Sequence, residues 1–176
     1  MQSGASPYWL WLSAAIRLAV GHGAIRNSTW RLSRALLEPS AEVLLSMEAF
    51  SGVALWLPPG VTPDEAALVS VLQDTVGAAQ RDELFSMFEQ MNAFHPREAH
   101  WHLPLIGVDP AHQGKGVGAA LLRRVLDACD SQKMLAYLEA TSVRNVPLYE
   151  RHGFEALGRI QVADSPPVVP MVRKPR

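Results

Sequence analysis

Val108-Asp109-Pro110-Ala111-His112-Gln113-Gly114-Lys115-Gly116-Val117-Gly118 is the stretch that decides the fold. An apolar run at 101–108 precedes it and reads as a strand. An amphipathic run follows it and reads as a helix, with Val117, Leu121, Leu122, Val125, Leu126 and Cys129 on one stripe. Glycine at every second position lets the backbone turn tightly and lets a ligand approach it closely. Amides at the start of a helix, where its dipole is positive, make such a turn an anion site. A bare strand-to-helix turn explains the glycines less well, because each one adds backbone entropy loss and weakens the helix start.

The pattern continues on both sides. Downstream, 134–139 reads as a strand and 145–151 as a short helix ended by Gly153. Strands at 155–162 and 168–172 follow, separated by Asp164-Ser165-Pro166-Pro167. Upstream, 42–47 and 52–57 read as a hairpin stopped by Pro58-Pro59-Gly60. Thr62-Pro63-Asp64-Glu65 has the residue order of a helix start, for a helix reaching about residue 76. Leu84, Met87, Phe88 and Met91 mark a helix over 81–91, broken at His95-Pro96-Arg97, and Pro104 interrupts the strand after it. The N-terminal part reads helical over 8–20 and again from Asn27 or Ser28, with Trp30, Leu32, Leu36 and Leu37 as apolar positions. Strands alternating with helices in the second half make the class α/β.

Three phosphate-binding turns can be compared with this one. A nucleotide P-loop needs Ser or Thr after Gly-Lys to hold magnesium, and Gly116 follows Lys115 here. A dinucleotide fingerprint fits Gly114-x-Gly116-x-x-Ala119, with Glu139 at the end of the next strand as the ribose-binding acid. That unit normally opens a long domain, whereas here it begins past residue 110 in a chain of 176. The pyrophosphate of coenzyme A is the third candidate occupant.

Length and composition narrow the field further. The 176 residues suit one domain, and a net charge of -1 gives no field for nucleic acid. The basic end, Arg173, Lys174 and Arg176, reads as a solvated terminus, and the five tryptophans form no stacking stripe with basic residues between them. One cysteine, Cys129, makes no internal disulfide, so a reducing, cytoplasmic location is expected. The apolar stretch 7–20 contains Arg17 and is too short to span a membrane. His95, His100, His102 and His112 match no metal-ligand spacing and lack companion cysteines, so no metal is expected.

Gln113-Gly114-Lys115-Gly116-Val117-Gly118 matches the Gln/Arg-x-x-Gly-x-Gly/Ala signature of the GCN5-related N-acetyltransferase (GNAT) superfamily. Ile106-Gly107-Val108-Asp109-Pro110 resembles its fourth strand and turn, and Asn145-Val146-Pro147-Leu148-Tyr149-Glu150-Arg151-His152-Gly153-Phe154 its Asn-x-x-x-x-Tyr-x-x-x-Gly-Phe segment. Within the superfamily the chain is similar to the puromycin N-acetyltransferase-like branch, through His112 to Gly118, Leu138-Glu139-Ala140-Thr141, Arg144 to Gly153 and Met171-Val172-Arg173-Lys174-Pro175. The resemblance implies a twisted mixed β-sheet flanked by helices, whose fourth and fifth strands splay. It implies one acetyltransferase domain over 1–176, with an atypical helical part at 1–41 and an acetyl-CoA-binding core at 42–176. The family's first strand is missing or replaced, which leaves a sheet edge that a homodimer would cover.

The resemblance also assigns roles. Gln113, Gly114, Lys115, Gly116, Val117 and Gly118 would hold the pyrophosphate. Backbone groups of Ile106, Gly107 and Val108 would meet the pantetheine arm and polarise the thioester, and Asn145 would contact the arm. Tyr149 is the candidate general acid, since a phenol near pKa 10 matches a thiolate of about 8.5 to 10. Glu139 is the candidate base, with His102 or a water as alternatives. The expected function is direct transfer of the acetyl group of acetyl-CoA to a primary amine of a small molecule, with Cys129 as packing and not as nucleophile. A coenzyme A-binding module without turnover is the competing reading.

Overall fold

The structure, a computed structural model, describes residues 42–45, 52–61 and 78–176. The helices expected over 8–20, from 27 onward and over 62–76 lie outside these residues. So do the first strand, the edge it would leave and the division at residue 41. The described elements are β1 (Glu42–Leu45), β2 (Gly52–Leu57), α1 (Ala78–Phe94), β3 (His100–Val108), α2 (Val117–Gln132), β4 (Leu135–Ala140), α3 (Val146–Arg151), β5 (Glu155–Ala156) and β6 (Val169–Arg173). They form a mixed six-stranded sheet in the order β1-β2-β3-β4-β6-β5. This is the α/β class, and a twisted mixed sheet flanked by helices, as expected.

β1 and β2 make the expected antiparallel hairpin, Glu42 opposite Trp56 and Leu45 opposite Val53. β3 and β4 run parallel, which requires a crossover, and α2 supplies it. Period-two alternation gives the sheet two buried faces. On one, Ala54, Trp56, Trp101, Leu103, Ala136, Leu138 and Met171 pack under Leu121, Leu122, Val125, Leu126 and Cys129 of α2, with Tyr149 and Phe154 beside them. The apolar stripe read from the sequence is therefore the stripe that α2 buries. Leu57, His102, Tyr137 and Glu139 alternate with these residues and are buried on the opposite face. The end of α1 reaches that face: the Phe94 ring presses on Gly158, and His95 meets the rings of His102 and Tyr137.

Pro104 shapes the middle of the sheet. Leu55 of β2 lies opposite Leu105 while Leu57 lies opposite His102, so β3 carries one residue more than its partner at Leu103–Pro104. Such a bulge falls where the missing proline N–H breaks the ladder, and it reverses the alternation beyond it. Trp101 and Leu103 face α2 before the bulge, and Ile106 joins that face after it. The β3–β4 pairing stops at the same place, with Leu103 opposite Leu138 as its last pair. Beyond it β3 stays with β2, and β4 stays with β6 through Glu139 opposite Pro170 and Ala140 opposite Val169. The two central strands thus part, which is the splay expected of the family's fourth and fifth strands.

β5 is shorter than the strand expected over 155–162. Leu157 N–H still donates to Pro170 O at 2.8 Å, and Ile160 exchanges bonds with Val168 at 2.8 Å in each direction. Pro170 has no N–H to return, and the Phe94 ring lies 2.6 Å from where a Cβ on Gly158 would sit, so the chain departs from the ladder between these contacts.

Candidate active site

The glycine turn begins at the end of β3. Asp109 Oδ1 accepts the Ala111 N–H at 2.8 Å and lies 3.3 Å from His112 Nδ1. These bonds hold its carboxyl below the usual carboxylate range. Gln113 Nε2 donates to Val108 O at 3.2 Å, tying the turn back onto the strand. Gly114 and Gly116 have φ of +74° and +84°, the left-handed region where a side chain is strained. A Cβ on either would meet nothing within 4 Å, so open space lies over both.

Gly116 caps α2, with no side-chain hydrogen bond at that cap and no acidic residue in the first turn. The first N–H groups of a helix have no acceptor within it. Here they face open space at the positive end of a four-turn helix, with no carboxylate of that helix's first turn to neutralise them. A diphosphate fits this cradle, so the residues present suit the pyrophosphate of acetyl-CoA.

The turn forms one wall of a cleft of about 450 Å³ that runs between the end of β3 and α3. A short turn at Val143–Asn145 and Pro147 in the first turn start α3, and Gly153 at φ +88° ends it. Phe154 N–H donates to Tyr149 O at 3.1 Å. The two rings pack edge to face with centroids 6.1 Å apart, and this fixes the Tyr149 ring against the cleft. Burial pushes the Tyr149 hydroxyl up to about 12. It therefore stays protonated near neutrality and is a weaker acid than a free phenol.

Ile106, Gly107, Val108, Gln113, Gly114, Gly116, Val117, Gly118, Asn145 and Tyr149 all line this cleft. Lys115 belongs to the turn and is not part of the lining. Glu139 is not part of it either. Its side chain is buried on the opposite sheet face, where Oε2 lies 3.0 Å from His102 Nε2. Four lining residues were not nominated from the sequence: His112, Ala119, Leu148 and Arg151. His112, Leu148 and Arg151 fall inside the two segments that carry the family resemblance. Ala119 lies three residues past Gly116, one helical turn on, and that spacing was its signal.

Cys129 is buried on the sheet-facing side of α2, and burial pushes its thiol up to about 11, which suits packing and not nucleophilic attack. Among the described residues no group of three or more His, Cys, Asp or Glu could hold a metal ion, and no helix is long and apolar enough to cross a membrane.

Comparison with known proteins agrees with this geometry. Residues 65–175 match the family described as acetyltransferase (GNAT) domain. The chain is 34% identical to the N-alpha-acetyltransferase RimI of Mycobacterium tuberculosis, over 72% of this chain and 77% of that one. It is 27% identical to an uncharacterized N-acetyltransferase of Schizosaccharomyces pombe, over 76% of this chain, and it spans 60% of that relative's length. Among solved structures, a histone acetyltransferase HPA2 and related acetyltransferase from Corynebacterium glutamicum has a TM-score of 0.56 at 24% identity, covering 93% of this chain and 91% of that one, which is a likeness of fold. Cradle, splay and family match converge on one conclusion: this chain belongs to the GNAT acetyltransferase family.

Proposed function

We propose that the protein binds acetyl-CoA in the cleft and transfers its acetyl group directly to a primary amine of a small molecule. The observation that carries this is the meeting, in one cleft, of the Gly114–Gly116 cradle, the end of β3 at Ile106, Gly107 and Val108, and the Tyr149 ring. Bound acetyl-CoA supplies an activated thioester. The chain's residues do the rest. Gly116, Val117 and Gly118 present amides to the diphosphate. Ile106, Gly107 and Val108 present backbone groups along the splay, which orient the arm and stabilise charge developing on the thioester oxygen. Asn145 lines the arm's path. Tyr149 gives its hydroxyl proton to the departing thiolate. Glu139, on the strand across the splay, takes the proton that the amine must lose. The lone buried cysteine supports a cytoplasmic setting.

The small-molecule acceptor rests on the resemblance to the puromycin branch. A second reading, a polypeptide N-terminus as acceptor, is favoured by the relative named as an N-alpha-acetyltransferase. Calorimetric titration with acetyl-CoA, on wild type and Gly116→Trp, tests the cofactor site. Micromolar binding by wild type alone is expected, and no wild-type binding refutes the reading. Thiol release with puromycin, with simple aliphatic amines and with a peptide bearing a free N-terminus then separates the two acceptors.

A further inference from the structure

The first turn of α2 rests on a residue outside the cleft. Gly52 opens β2 and lies opposite Val108 of β3. Strand alternation puts it on the same face as Ala54 and Trp56, the face that α2 covers. Its backbone is not in the left-handed region, so conformation does not call for glycine there. Glycine weakens a strand, and where it stands in one it often marks a close approach of other atoms. A Cβ on Gly52 would lie 2.9 Å from Val117 Cγ1, 3.0 Å from Gly107 O and 3.2 Å from Leu121 Cδ1.

These three neighbours differ in how far they can yield. Leu121 can turn the end of its side chain. Gly107 O is main chain of β3 and cannot move without the strand. Val117 is branched at Cβ, which leaves it one preferred rotamer in a helix, and it packs against the core. A carbon added at position 52 therefore displaces the backbone that carries Val117. That backbone is the first turn of α2, whose amides form the cradle. Gly107 lies on the cleft wall formed by the end of β3, so both displaced parts line the cleft, while Gly52 does not. The other side of the turn has more room. A Cβ on Gly118 would meet Leu148 Cδ2 at 3.5 Å and Val108 Cγ2 at 3.7 Å. The height of the turn above the sheet is thus set at Gly52.

We infer that Gly52 is a positioning residue for acetyl-CoA: its missing side chain lets Val117 seat against β2 and so holds the Gly116–Gly118 amides at the depth where the cleft takes a diphosphate. This rests on the acetyl-CoA site proposed above. Added volume at position 52 acts differently on the two states. Without ligand the turn can rise and relieve the crowding. A diphosphate bonded to the amides draws the turn back down, so the crowding reappears as lost affinity.

Gly52→Ala, Val117→Ala and the double variant are compared with wild type at a temperature where urea unfolding shows each to be folded. By calorimetry, Gly52→Ala should weaken acetyl-CoA binding about tenfold, at the low end of what overpacking does. Val117→Ala keeps the amide and removes the carbon at 2.9 Å, so in that background the same change should weaken binding by about threefold or less. Equal losses in both backgrounds, or wild-type affinity in folded Gly52→Ala, overturn the inference. A glycine with a structural role only would lower the urea midpoint and leave the Kd of the folded protein unmoved. If Gly52→Ala does not fold, the double variant must fold and bind nearly as Val117→Ala does, and its failure to do so also overturns the inference. ¹H–¹⁵N spectra of the unliganded proteins give a second readout. The Gly116 and Gly118 amide signals should shift in Gly52→Ala, and shift much less when the change is made in Val117→Ala; unmoved signals refute the seating. Wild type that binds no acetyl-CoA refutes the proposed function and leaves these spectra to decide whether Gly52 sets the turn.

Discussion

Replacing Gly116 by alanine separates the two tasks given to that residue. Its φ of +84° and ψ of 0° lie in the left-handed region, where an L side chain costs about 1–2 kcal/mol. Among the described residues nothing beyond its chain neighbours lies within 4 Å of the new Cβ, so no clash with them adds to that strain. The apo protein should therefore lose about 1–2 kcal/mol in denaturant unfolding, roughly 2–8 °C in Tm for a chain of this size. The added methyl stands in the space in front of the α2 amides. Acetyl-CoA affinity, measured by calorimetry, should fall at least tenfold, about 1.4 kcal/mol, and the rise in Tm at a fixed acetyl-CoA concentration should shrink with it. Gly118→Ala is the control. Its Cβ would meet Leu148 Cδ2 at 3.5 Å and Val108 Cγ2 at 3.7 Å, ordinary packing distances, at a helical position where alanine is favoured by up to about 1 kcal/mol. That variant should bind as wild type does and be no less stable. Wild-type affinity in Gly116→Ala, or its loss in Gly118→Ala alone, would refute the placement of the cradle.

Other consequences are as direct. Tyr149→Phe should lower kcat about 100-fold with little change in the KM for acetyl-CoA, and the wild-type kcat should show no basic limb from Tyr149 below about pH 11, because burial keeps its hydroxyl protonated. Arg173 is buried and grips Asp130 with two bonds of 2.8 and 2.7 Å, so Asp130→Ala, which leaves that cation unpaired, should destabilise by about 1–3 kcal/mol in urea unfolding. The Arg173 guanidinium holds the Asp130 carboxyl down at about 2. The stabilisation from this depressed group is complete above the unfolded value near 3.8 and fades as pH falls toward 2, a loss that Asp130→Asn should not show. Burial lowers the His95 and His100 imidazoles below their ordinary value of 6.5, so in the fold they bind protons less readily than they do when unfolded. Stability should fall as pH drops below that value, by up to about 1.4 kcal/mol per pH unit for each group before solvent screening reduces it. The slope should be smaller in His95→Phe.

Much of the cleft was legible because its chemistry lies in local order. Glycine spacing dictates left-handed backbone at Gly114 and Gly116, and a polar–apolar period of 3.6 marks the buried stripe of α2 whatever it packs against. Element ends were less legible. The helix expected over 81–91 extends to Ala78–Phe94, and the strand expected over 155–162 shrinks to Glu155–Ala156 because Gly158 lies under the Phe94 ring, more than sixty residues away in sequence. No local pattern encodes that contact. Glu139 is the instructive case at the site. Its place at the end of a strand was readable, but the face it occupies and its bond to His102 depend on the register of two strands joined by a crossover. Pro104 was read as an irregularity, yet the reversal of alternation it imposes could be seen only once β2 and β4 flanked β3.

The parted strands have a consequence for how such a protein can diverge. Past Leu103 β3 is no longer paired with β4, so among the described residues its amides and carbonyls on that flank face the opening between the two strands. A ligand arm lying there completes the sheet as an extra strand would, through main-chain atoms common to every residue type. Ile106 and Val108 can then drift among apolar residues without loss of that grip. The demands that survive drift fall on geometry: a bulge that parts the strands, and a turn whose backbone must pass through a region open mainly to glycine.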